Sequence, residues 1–167
     1  MNVSKAEENK YDYHIKKNSI SALTEEVIGI LSEQVKVKNI SIEKRITPNI
    51  FGVFDIERTK FVLQVLLENA VHYTPVDGKI EICVFENESI CGFSVKDSGV
   101  GISKADQSRL FTKFYRGDKA RLADTEGMGI GLFISKDIIS HQHGKIWADS
   151  AGENQGSIFT ITLPKSK

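Results

Sequence analysis

The stretch FDIERTKFVLQVLLENAVHYTP, residues 54–75, decides how this chain is read. Asp55 stands where a helix needs an N-cap, and Thr74-Pro75 stops the run, because the residue before a proline is driven out of the helical region. At 100° per residue Val62, Leu63, Leu66, Leu67 and Ala70 form one apolar arc. Asn69 falls at the edge of that arc, flanked by Val65 and His72, while Gln64 and Glu68 lie further round toward water. A carboxamide at a core edge needs a partner, since a buried amide left unsatisfied costs about 1–3 kcal/mol. Asn69 is therefore either bonded to nearby backbone or turned toward a metal or phosphate.

Outward from this helix the sequence reads as one domain. Its 167 residues can bury a core without disulfides or metal, and 40% apolar against 26% charged residues is an ordinary globular balance. Lys plus Arg equals Asp plus Glu at 22 each, so no net field draws the chain to nucleic acid or to an acidic membrane. No apolar run approaches the roughly 20 residues of a spanning helix, and residues 1–10 are polar, unlike a signal peptide. Cys83 and Cys91 fall in neighbouring strands; with Cys91 opposite Val84, the two thiols point to opposite sheet faces. No disulfide is expected there, and no zinc-type spacing is present, so the reading is a reduced, cytoplasmic protein.

Upstream, YDYHI (residues 11–15) alternates like a short strand, and Ser19 or Ser21 can cap a helix running to about Val37. Leu23, Val27, Ile30, Leu31 and Val35 form its apolar stripe. NISIEKRI (39–46) alternates again, and a brief strand follows at 51–54. Downstream, residues 79–85 and 90–97 form the clearest hairpin. A short helix near 104–110, a charged loop at 116–127, a helix from about Gly129 to His143 ending at Gly144, and two final strands, GKIWAD and GSIFTITL, complete the chain. Strands and helices do not alternate, which disfavours a doubly wound nucleotide fold. The expectation is α+β: a two-layer sandwich with helices on one face of a mixed, mostly antiparallel sheet and the other face solvated.

Two further segments carry chemistry. In ICGFSVKD, Cys91, Phe93, Val95 and Asp97 share the apolar strand face, so the carboxylate points inward, a costly placement unless it is well bonded. Either Asp97 bonds the following amides of DSGVG (97–101), or it accepts from an exocyclic amine, with Gly99 and Gly101 leaving room for a flat ring. EGMGIGL (126–132) opens a helix whose first amides can hold phosphate. Its spacing is neither the dinucleotide fingerprint nor a Walker loop.

Taken in order, ENAVHYTP, DSGVG, LFTKFYRG, EGMGIGL and GSIFTITLP resemble the catalytic ATP-binding domain of sensor histidine kinases. That domain belongs to the superfamily of gyrase, a heat-shock chaperone and the mismatch-repair ATPases, and has the Bergerat-type fold. The likeness runs from about Leu23 to Pro164. It implies that Asn69 ligates the Mg²⁺ bridging the phosphates of ATP, that Tyr73 packs beside the adenine, and that His72 stands where a Lys or Arg usually meets a phosphate. It makes Asp97 the acceptor for the adenine amino group, with Gly99, Gly101 and Ile102 lining the base. Phe111 and Phe114 match the box that anchors a lid, residues 116–127, in which Arg116 and Arg121 are phosphate contacts. Gly127, Gly129, Gly131 and Leu132 match the second glycine box, and Thr160 or Thr162 is expected to join the adenine network.

Two positions depart from the pattern. Val65 replaces the usual Asn four residues before Asn69, and His72 replaces the usual cation. The resemblance implies a protein-histidine kinase domain that transfers the γ-phosphoryl group of Mg·ATP to a histidine on a separate dimerisation domain and serves a response regulator. A nucleotide-binding module without transfer, or an anti-sigma-type serine kinase, is the alternative. None of His14, His72, His141 and His143 sits in an H-E-x-R-T-P context, so the acceptor is expected elsewhere. Residues 1–18 then read as the lead-in from a dimerisation domain and 19–167 as the catalytic domain, on the cytoplasmic side of a membrane-anchored parent, with no nucleic-acid partner and no direct membrane contact.

Overall fold

The structure, a computed structural model, describes residues 12–113, 115 and 129–167. In chain order these form β1 (Lys16–Ser19), α1 (Ile20–Ile30), α2 (Ser32–Val37), β2 (Ser41–Ile46), β3 (Phe51–Phe54), α3 (Ile56–Tyr73) and β4 (Lys79–Glu86). There follow β5 (Ile90–Asp97), α4 (Lys104–Gln107), α5 (Gly131–His141), β6 (Lys145–Asp149) and β7 (Ser157–Pro164). Five strands make one sheet in the order β2-β4-β5-β7-β6, in which only β2 and β4 pair in parallel. β1 and β3 form a separate antiparallel ribbon.

The two layers follow from the two periodicities. On α3 the arc Val62, Leu63, Leu66, Leu67 and Ala70 is almost wholly buried, and Asp55 caps the helix by accepting from Arg58 N. Beneath it lie the alternate residues Ile80, Ile82 and Val84 of β4, Cys91, Phe93 and Val95 of β5, and Phe159, Ile161 and Leu163 of β7. The opposite sheet face carries charge, with Lys79 Nζ 2.6 Å from Glu43 Oε2 and Arg45 Nη2 2.6 Å from Glu43 Oε1. The α+β sandwich expected from the sequence is the fold observed. Among the described residues no helix is long and apolar enough to cross a membrane.

Several local expectations are corrected. The strand expected at 11–15 lies further on: Tyr13 and Ile15 belong to no strand, and pairing begins at Lys16 opposite Phe54. The helix expected over 19–37 breaks at Leu31, whose N–H is shared between Val27 O and Ile28 O. The bend keeps Leu31 in the core and turns Ile30, expected on the buried stripe, out to 48% exposure. In the β4–β5 hairpin Cys91 faces Glu86 rather than Val84. The turn is centred one residue further along than expected, where Asn87 Oδ1 accepts from Ser89 N and Ile90 N; the pairing slides by two, so facing parity survives and the thiols do point to opposite faces. The helix expected from about Gly129 to His143 is α5, Gly131–His141, and beyond its end His143 takes a positive φ of 59°.

Candidate functional site

The site is assembled at the end of the sheet where β5 and α3 both terminate. Asp97, the last residue of β5, is 6% exposed. Its Oδ1 accepts from Gly99 N at 2.9 Å and its Oδ2 from Ser157 Oγ at 2.7 Å. Burial pushes the carboxyl above the ordinary aspartate value, and the bonds from Ser157 and Gly99 work the other way. The turn reading of Asp97 is the one observed; as an acceptor with about four lone-pair sites the carboxylate also keeps capacity for a ligand's N–H.

The turn after Asp97 is stapled to the β6–β7 loop. Asn154 N donates to Val100 O at 2.7 Å and Gly156 N to Gly99 O at 3.2 Å. Ser150 Oγ accepts from Ile102 N at 3.1 Å and donates to Gly156 O at 2.6 Å. Gly101 and Gly156 have φ of 70° and 68°, and a Cβ on either would sit 2.0–2.1 Å from a backbone oxygen, that of Gly152 or Asp97 respectively. Only glycine fits there. Gly99 packs against the end of α3, where a Cβ would come within 2.5 Å of Tyr73 O. Ile102 is buried behind the turn, and Tyr73 is half-buried, its ring edge-on to that of His72 at 4.8 Å.

Asn69 is half-buried one turn earlier on α3, and with His72, Glu68, Lys38 and Glu33 it lines a groove of about 580 Å³ between α2 and α3. The start of α5 approaches from the other side. Gly129 has φ 66° and lies just before the helix, and Gly131 opens it so close to Val65 that a Cβ would be 3.1 Å from a Val65 methyl. Leu132 packs against the core, and among the described residues no side chain caps the start of α5. Phe111 meets Phe159 edge-on at 6.5 Å, which ties the segment before residue 114 to the core. Phe114, Arg116, Arg121, Gly127 and the lid expected at 116–127 lie outside the described residues.

One assignment is corrected. Along β7 the inward residues are Ser157, Phe159, Ile161 and Leu163, so Thr160, paired with Ser94 and Trp147, lies on the sheet face away from Asp97, as does Thr162. The hydroxyl beside Asp97 is that of Ser157, which sequence reasoning missed together with the buttress Ser150. Parity of β7 against β5 was the missing signal: once Asp97 pairs with Ser157, the inward hydroxyl is fixed.

The residues present suit a nucleotide: Asp97 offers a buried acceptor and Asn69 a half-buried carboxamide. Among the described residues no three or more His, Cys, Asp or Glu side chains gather to hold a metal, so an ion on Asn69 would draw its other ligands from phosphate and water, as Mg²⁺ does.

Residues 54–167 match the family described as histidine kinase-, DNA gyrase B- and HSP90-like ATPases, and the chain belongs to that family. Within it the similarity points to sensor kinases. Over 118 residues the chain is 40% identical to the sensor histidine kinase WalK of Bacillus subtilis (strain 168), covering 70% of this chain and 19% of that protein. It is 38% identical over 117 residues to the sensor protein kinase WalK of Staphylococcus aureus, covering 69% and 28%. The nucleotide-free catalytic domain of the histidine kinase ThkA superposes with a TM-score of 0.80 at 28% identity, over 92% of this chain and 99% of that one. The mycobacterial sensor histidine kinase MprB, at 19% identity and a TM-score of 0.78 over 90% of this chain and 97% of that one, shares the fold. The chain spans less than a third of the length of these curated relatives.

Proposed function

We propose that this chain is the ATP-binding catalytic domain of a two-component sensor histidine kinase, passing the γ-phosphoryl group of Mg·ATP to a histidine on a separate dimerisation domain. The observation that carries the reading is Asp97: a buried carboxylate at a strand end, held by Ser157 and Gly99, beside the helix that bears Asn69. The bound nucleotide supplies the phosphoryl group and Mg²⁺ the charge neutralisation that this transfer requires.

The chain's own residues do the positioning. Asp97 accepts from the exocyclic amine of adenine, with Gly99, Gly101 and Ile102 beneath the ring and Tyr73 beside it. A guanine would present a carbonyl oxygen to the same carboxylate and be repelled. Asn69 offers its side-chain oxygen to the metal. His72, Arg116 and Arg121 are assigned to the phosphates, as are the glycine-box residues Gly127, Gly129, Gly131 and Leu132. Phe111 and Phe114 are assigned to the box that anchors a lid. Val65, packed on Gly131, keeps an apolar wall where a base for attacking water would have to stand. Imidazole is its own nucleophile and needs less help.

A response regulator is the expected downstream partner; the histidine kinase ThkA has been solved in complex with the response regulator TrrA. A cytoplasmic location follows from the same reading. The experiment is phosphotransfer. The chain with Mg·ATP alone should give no phosphohistidine, and acid-labile label should appear once a cognate dimerisation domain is added. Label on His14, His141 or His143 in the isolated chain would overturn the assignment of the acceptor.

A further inference from the structure

The last turn of α3 carries Asn69, His72 and Tyr73, and the final carbonyls of a helix have no donor within it. The corner between α2 and β2 supplies donors. Lys38 Nζ donates to Val71 O and to His72 O, both at 2.8 Å. The same corner grips the chain as it leaves the helix: Asp77 N donates to Lys38 O at 3.0 Å, and Asn39 Nδ2 donates to Asp77 Oδ1 at 2.6 Å. Asn39 and Asp77 both have positive φ, 51° and 62°, a conformation these residue types tolerate better than most. Residues 71–77 are thus bracketed by bonds from residues 38 and 39. Burial holds the Lys38 ammonium below the ordinary lysine value, while carbonyls at a helix C-terminus favour its charged form.

What this clamp holds is common to both ends of the site. Tyr73 O is the atom against which Gly99 packs, two residues after Asp97, and Lys38 lines the same groove as Asn69 and His72. A sideways shift of the α3 terminus would change the separation between Asn69 and Asp97. We propose that Lys38 is a positioning residue for the nucleotide: its two bonds to the α3 terminus set the distance between the phosphate end, at Asn69 and His72, and the base end at Asp97. The inference rests on the nucleotide reading above and adds to it a residue outside the matched segment, which begins at residue 54.

The test compares Lys38→Met and Lys38→Arg with the unaltered chain, titrated with Mg·ATP and separately with adenosine. Lys38→Met should weaken Mg·ATP by about ten-fold or more, the scale on which supporting groups around a metal site act, and leave adenosine within about two-fold. Lys38→Arg, which can still donate to both carbonyls, should restore most of the loss. Equal losses for the two ligands, or no loss for either, would make Lys38 a stability residue and overturn the proposal. Hydrogen exchange without nucleotide is the second arm. Lys38→Met should speed exchange at the amides of Thr74 and Asp77, and unchanged exchange there would overturn the clamp whether or not nucleotide binds. If the unaltered chain bound neither ligand, the nucleotide reading itself would fall, and with it the role assigned to the clamp. The exchange arm would still show whether Lys38 holds the turn.

Discussion

A carboxylate buried to 6% exposure, as Asp97 is, accepts only a ligand that brings donors. Asp97→Asn should therefore lose most affinity for adenine nucleotides, by about ten-fold to a hundred-fold, because a hydrogen bond to a charged group is worth about 1.5–3 kcal/mol. Calorimetry checks this. The fold should not suffer. Since burial raises the Asp97 carboxyl above its unfolded value, its contribution to stability is present at pH below the unfolded value and is lost as pH rises through the folded one. At neutral pH the ionised group thus works against folding, and Asp97→Asn should be at least as stable as the unaltered chain, with the advantage shrinking as the solution is acidified. Thermal melts across that range decide it; a large loss of stability at pH 7 would contradict the account. Gly156→Ala should do the reverse, costing about 2 kcal/mol or more by forcing a Cβ onto Asp97 O at positive φ, as urea unfolding would show. Asp97 was legible in the sequence because alternation along β5 is local. Ser157 was not, because its facing depends on register across to another strand.

At the scale of elements, α3 and α5 run side by side and in opposite directions. The start of α5 meets Val65 and its end meets the start of α3, where Gln142, 1% exposed, accepts from Asp55 N at 2.6 Å and donates to Thr59 Oγ1 at 3.3 Å. Gln142→Ala should cost about 1–3 kcal/mol in chemical unfolding, because the Asp55 amide would be left buried without its acceptor. At the other end, the Val65 wall predicts slow hydrolysis of ATP by the isolated chain. Brisk phosphate release, abolished by Asn69→Ala, would show that Val65 is no obstacle. Helix α3 was readable almost to the residue, since its cap, its arc and its proline stop agree. The first helix was overestimated in length because its pattern is continuous through Leu31, whereas wrapping the core requires a bend there. The separate β1–β3 ribbon is a long-range pairing that leaves no local signature.

For the whole molecule, one sheet face serves the core and one end of that layer serves the ligand. β5 carries Asp97, α3 carries Asn69, His72 and Tyr73, and Gly131 opens α5 beside Val65, so a nucleotide bound as proposed would touch segments far apart in sequence and depend on their common packing. That is why the proposal was drawn from the order and spacing of motifs and not from any single one. The most direct measurement is calorimetric titration of the chain with Mg·ATP and Mg·GTP under the same conditions. The account predicts Mg²⁺-dependent binding of ATP and affinity for GTP lower by at least about ten-fold, because Asp97 accepts from the adenine amine and repels the guanine oxygen. Equal affinity for the two nucleotides would contradict it.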